Sequence, residues 1–134
     1  MKKILVLLFS ISLLAACSEK SGASGKVGDR IKGKNLSIQA FYLNPNERPS
    51  VNVQNDGDKS FTIRPLTATA WFKQAGKKER TFNSGELAGT GQIEPHKVAM
   101  LPGDLFNFDV APADHLDKLT LSIGGGQEVF TINP

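Results

Sequence analysis

From Asn35 to Pro134 apolar and polar residues alternate with a period of two, and no stretch of a dozen residues carries helical spacing. Side chains that point alternately to opposite faces belong to strands, so this pattern confines the region to an all-β fold. Leu36, Ile38, Ala40 and Tyr42 share one face of a first strand. Val51 and Val53 mark a second, which is expected to meet Phe61 and Ile63 across the turn cluster Asn55-Asp56-Gly57-Asp58. After Pro65, Leu66, Ala68, Ala70 and Phe72 lie on one face and Thr67, Thr69, Trp71 and Lys73 on the other; Gln74 to Lys78 turn the chain into a strand at Glu79 to Phe82. Asn83 to Gly91 reads as loop, followed by strands at Lys97 to Leu101 and at Phe106, Phe108 and Val110. Leu119, Leu121 and Ile123 pair across Gly124-Gly125-Gly126 with Val129 to Ile132 in a closing hairpin.

About eight short strands at spacings near ten residues predict a single small antiparallel β-sandwich over residues 35–134. A small closed β-barrel is the alternative, because alternation does not distinguish the two. One hundred residues suffice for one core and no more. The chain has a single cysteine, Cys17, so apolar packing must hold the domain without a disulfide.

The N-terminus has a different character. Lys2 and Lys3 precede an apolar run from Ile4 to Ala16 broken only by Ser10 and Ser12. As a helix those residues reach roughly 20 Å at ~1.5 Å each, short of the ~30 Å hydrocarbon core of a bilayer, which favours a signal peptide over a permanent span. The run closes on Leu14-Ala15-Ala16-Cys17, which resembles the lipobox of bacterial lipoprotein signal peptides. That resemblance covers residues 1–17. It implies cleavage before Cys17, a diacylglycerol thioether on its sulfur and a further acyl chain on its amine; two or three chains anchor a protein firmly where one does not. Ser18, in place of aspartate, implies export to the outer membrane, facing the periplasm, in a Gram-negative host. Residues 18–34 are rich in Ser, Gly and Lys with only Val27 and Ile31 as sizeable apolar groups, so residues 17–34 are expected to form the lipidated cysteine and a flexible tether.

The net charge of +3 is unevenly placed. Residues 17–34 hold five Lys/Arg against two Asp/Glu, whereas residues 35–134 hold nine against eleven. The domain is mildly acidic as a whole and lacks the basic footprint of a nucleic-acid binder, so no nucleic-acid partner is expected.

A search for catalytic chemistry finds no nucleophile with a base. There is no G-x-S-x-G, and Gly89-Thr90-Gly91 and the triple glycine fall in turns rather than between a strand and a helix. No enzyme activity and no cofactor are expected. His96 and Met100 are the nearest approach to a metal pair. Four residues apart on a strand they share a face but stand ~13 Å apart at ~3.3 Å per residue, too far for one ion, and His115 would have to join from a distant loop. Asp56 and Asp58 with Asn55 offer too few oxygens for a calcium site, which takes about six or more. Trp71 stands out, since it falls on the polar face with Thr69 and Lys73. A large aromatic there is a contact candidate for a protein or a glycan ring.

Val51-Asn52-Val53-Gln54-Asn55-Asp56-Gly57, together with Leu101-Pro102-Gly103-Asp104 and Phe106-Asn107-Phe108, resembles the broad group of bacterial immunoglobulin-like lipoprotein domains. The resemblance implies an immunoglobulin-like sandwich and a role in adhesion, assembly or ligand presentation. The expected function is therefore a lipid-anchored envelope protein that binds a protein or polymer partner without catalysis; the alternatives are a carrier of a small ligand or metal and an inhibitor of a hydrolase.

Overall fold

A computed structural model describes residues 22–42, 48–82, 91–111 and 113–134. Cys17, the whole signal segment and all but Gly91 of the loop expected at Asn83 to Gly91 lie outside the described residues. Among those described, no helix is long and apolar enough to cross a membrane.

The structure is all-β. Among the described residues eleven strand segments follow in chain order: β1 (Ala23–Lys26), β2 (Arg30–Lys32), β3 (Leu36–Phe41), β4 (Ser50–Asn55), β5 (Phe61–Thr62), β6 (Leu66–Phe72), β7 (Gly76–Phe82), β8 (Gln92–Ile93), β9 (Val98–Leu101), β10 (Leu116–Ile123) and β11 (Glu128–Asn133). They form a five-stranded sheet ordered β1-β11-β10-β6-β7, a four-stranded sheet ordered β2-β3-β4-β9 and a small ladder of β5 with β8. No sheet closes on itself, so the barrel alternative is excluded.

The inward faces of both large sheets merge into one apolar cluster, an arrangement that fits two sheets packed face to face. Leu36, Ile38, Ala40, Val51, Val53 and Leu101 enter it from the four-stranded sheet. Leu66, Ala68, Ala70, Leu119, Leu121 and Phe130 enter it from the other. Each larger side chain of this kind contributes about 1.5–3 kcal/mol relative to exposure, which is what holds a domain with no disulfide among its described residues. The predicted alternation is the burial pattern observed in β6 and β10, and in β3 and β4 the predicted apolar residues are buried but Ser37 and Ser50 are buried beside them; the β10–β11 hairpin turns through Gly124, Gly125 and Gly126. All three have positive φ, a conformation only glycine adopts without strain.

Three expectations are corrected. The first concerns the tether. Its second half is folded: β1 pairs in parallel with β11, and β2 pairs with β3 and buries Ile31. Val27 packs against the core, so the two apolar residues that looked isolated in a linker are the two that dock it. Gly25 and Gly33 allow the close approach. A Cβ on Gly25 would meet Ile31, and one on Gly33 would meet the Glu128 carboxylate and the Phe130 ring. The second concerns β4, which pairs with β3 and β9 and not with Phe61 and Ile63; Phe61 pairs with Ile93 instead. The Asn55 side chain folds the turn inward rather than closing a hairpin. Its Nδ2 donates to the carbonyls of Lys59 (2.7 Å) and Ile93 (2.8 Å), and its Oδ1 accepts from Gly57 N–H at 2.9 Å. The third concerns Phe106, Phe108 and Val110, which are not a strand. Gly103–Phe106 is a 3-10 turn, and Phe106 and Phe108 plug the core by packing rather than pairing, with Phe108 edge-on to Phe72 at 6.0 Å.

Candidate functional site

β6 lies between the edge strand β7 and the central strand β10, so its outward residues have neighbours on both sides on the five-stranded sheet's outer face. Register sets them in rows across the strands. Trp71 is flanked by Lys77 on β7 and Lys118 on β10. One step along, Thr69 lies between Glu79 and Thr120, and Thr120 faces Thr131, which in turn faces Ser24 of β1. The next row brings Thr81, Thr67 and Ser122 together.

The face is ordered by its own contacts. Thr67 and Thr81 hydroxyls lie 2.9 Å apart, Thr120 and Thr131 hydroxyls 3.3 Å, and Thr69 donates to Glu79 Oε2 at 3.2 Å. The Lys118 ammonium stands 4.0 Å above the centre of the Trp71 ring, a cation–π contact. Trp71 is half-buried, Thr69 likewise, and Lys73 is exposed in the turn after β6. Thr69 and Trp71 therefore share one face of β6, and Lys73 lies in the turn beyond it. Lys77, Lys118, Thr120 and Thr131 were not foreseen as their neighbours. Their outward phase was readable from the alternation of β10 and β11, but strand pairing is what sets them beside Trp71.

The candidate ligands His96, Met100, Asp56 and Asp58 stand apart from this face, and His115 meets it only through its carbonyl, which accepts from Lys73 N–H at 3.1 Å. His96 occupies the turn between β8 and β9 with φ of 62°, and its Nε2 is 3.7 Å from Asp58 Oδ1, both groups well exposed. Met100 points outward from β9 opposite Asn52. Asn55 is turned into the domain and Asp56 faces Arg30 at 3.6 Å. Among the described residues no group of three or more His, Cys, Asp or Glu is gathered as a metal site would require.

At the end of the sheets Arg48 lies 4.6 Å over the Phe72 ring, beside a groove of 470 Å³ that runs past Met100. Burial pushes its guanidinium pKa down, opposed by the charge of Asp114 and by Tyr42. Burial likewise raises the Tyr42 phenol, which Arg48 partly offsets. Burial opposes ionisation of Asp114, but hydrogen bonds from the N–H groups of Ala75, Gln74 and His115 and the charge of Arg48 outweigh it and hold its pKa below the ordinary carboxylate value.

The sign follows directly: a depressed carboxylate pKa adds stability that is fully present above about pH 3.9 and is lost as pH falls through the lower folded value. Urea midpoints measured from pH 5 to pH 2.5 should therefore fall more steeply for the native chain than for Asp114→Asn. Parallel curves would show that Asp114 contributes nothing to acid lability.

Comparison with known protein families, characterised proteins and solved structures finds no match for this chain.

Proposed function

We propose that this chain is a bacterial envelope lipoprotein, anchored through lipid on Cys17, whose immunoglobulin-like β-sandwich binds an envelope protein or polymer without catalysis. The observation that carries the reading is the Leu14-Ala15-Ala16-Cys17 run placed ahead of an all-β domain. Small residues followed at once by the sole cysteine are what a lipoprotein signal requires. Ser18 favours the outer membrane over the inner in a Gram-negative host.

The immunoglobulin-like assignment is supported by strand order. Taking β3, β4 and β9 as strands A, B and E, and β6, β10 and β11 as C, F and G, the two sheets carry the orders A-B-E and C-F-G of an immunoglobulin domain. β1 and β2 are additions ahead of strand A, and β7 extends the second sheet beyond C.

Such a domain presents an ordered sheet face carrying Trp71 and Thr69, with Lys73 in the turn beyond, which suits recognition. Expression of the full chain in a bacterium fed labelled palmitate is expected to yield a membrane-bound product with lipid on an N-terminal Cys17. Cys17→Ala should abolish the label completely and leave the signal uncut. An unmodified thiol on an intact N-terminus in the native chain would overturn the reading.

A further inference from the structure

The outer face of the five-stranded sheet combines features that point to one class of partner. Trp71, the sole tryptophan of the chain, is half-buried near the end of β6, the strand next to the β7 edge, with cationic side chains on both neighbouring strands. Lys73 follows in the adjoining turn, and Lys26 lies on β1 across the same sheet. Against these stand Glu79, engaged by Thr69, and Asp117 at the bulge of β10. Residues 22–134 carry thirteen Lys/Arg against twelve Asp/Glu, so a cationic group around the single indole is a local concentration in a nearly neutral domain.

What the face lacks is equally informative. The exposed large hydrophobic residues among those described, Phe41, Val98 and Met100, all lie on the other sheet. A surface built to dock a folded protein carries an apolar centre, and one built to enter a membrane carries apolar side chains at its tip. Here one flat aromatic is set among threonine hydroxyls and amines. Single-stranded nucleic acid stacks successive bases on several aromatics, and this face offers one.

We propose that this face binds a linear acidic polysaccharide, with a sugar ring laid on Trp71, its carboxylates paired with Lys77 and Lys118, and neighbouring hydroxyls meeting the Thr69, Thr120 and Thr131 row. The ring surface of a sugar presents C–H groups that suit an indole, and its charge suits the flanking amines. Lys118, now above the indole, moves aside to pair with the carboxylate. This inference rests on the reading of the domain as a binding module and names its polymer.

Because the chain has one tryptophan, its emission reports this face alone. The full chain, with the mass of its Cys17 recorded on the same sample, is titrated with a size-defined oligogalacturonate and with a neutral cello-oligosaccharide of equal length. The acidic sugar is expected to shift Trp71 emission saturably, with binding weakened by added salt. The neutral sugar and the Lys77→Gln/Lys118→Gln variant are each expected to bind about tenfold more weakly, the scale of losing rim charge pairs. Trp71→Phe, followed by calorimetry, should also weaken binding.

No saturable response to the acidic sugar, or equal affinity in the lysine variant, overturns the proposal. So does equal or tighter binding of dextran sulfate or of a single-stranded oligonucleotide, since the face would then be a general polyanion contact. Failure to bind sugar by a chain correctly lipidated at Cys17 removes only the polymer assignment, whereas an unlipidated Cys17 removes the envelope reading whatever the sugar does.

Discussion

Replacing Glu128 with alanine is expected to lower the unfolding free energy by about 3–4 kcal/mol, read from urea melts of the full chain. Glu128 opens β11, directly after the glycine hairpin, and is 5% exposed. One carboxylate oxygen accepts from Lys34 N–H at 2.9 Å; the other accepts from Asn35 and Leu36 N–H at 2.7 and 3.1 Å. Three consecutive backbone donors thus converge on one anion, in hydrogen bonds strengthened by its charge. Removing the acceptor strands donors that cost about 1–3 kcal/mol each where water does not reach them, offset in part by relaxation of the connection between β2 and β3.

The consequence extends beyond stability, because this clamp ties β2 and β3 of one sheet to β11 of the other. Glu128→Gln keeps one acceptor oxygen but brings two donors of its own to a site already filled with donors. It should recover less than half of the loss. A Glu128→Ala chain as stable as the native one would show that the clamp is dispensable.

Asn55→Ala is expected to cost a comparable amount, about 3 kcal/mol, and Asn55→Asp at least as much. Asn55 is fully buried at the end of β4. Its amide nitrogen serves the Lys59 and Ile93 carbonyls while its oxygen holds Gly57 N–H, and its own backbone also bonds on both sides: Asn55 N–H donates to Lys97 O at 3.0 Å, and His96 N–H donates to Asn55 O at 2.8 Å. Alanine removes the partner of three backbone groups, the Ile93 carbonyl in the interior and the Lys59 carbonyl and Gly57 N–H at its margin. Aspartate keeps the shape but turns two attractive contacts into a carboxylate facing carbonyl oxygens. That ordering separates hydrogen bonding from packing: if Asn55→Asp proves as stable as the native chain, the donor role of the amide is wrong.

These two residues mark the limit of what could be read in the chain. Asn55 was recognisable as a turn residue, because asparagine beside Asp-Gly favours turns, yet the same composition wrongly suggested a hairpin from β4 to Phe61 and Ile63. What decided against it was the partner carbonyl of Ile93, 38 residues distant. Glu128 carries no signal at all. Its donors lie 92 to 94 residues earlier, and a charged residue at a hairpin end reads as solvated. Phe106 and Phe108 alternate like a strand because alternation records burial on one side, which an irregular plug satisfies as well as a ladder does.

The local pattern by itself determined the β character of residues 35–134, the inward faces of β3, β4, β6 and β10, and the outward phase of Trp71. Each depends only on the period-two geometry of extended backbone and on turn residues near in sequence. Pairing decided the rest: that Ala23–Lys26 and Arg30–Lys32 belong to the sheets, that Lys77 and Lys118 flank Trp71, and that Asn55 and Glu128 face inward. Those outcomes rest on hydrogen bonds between segments far apart in the chain, whose partners no local composition specifies, and on core volume that only the assembled sheets define.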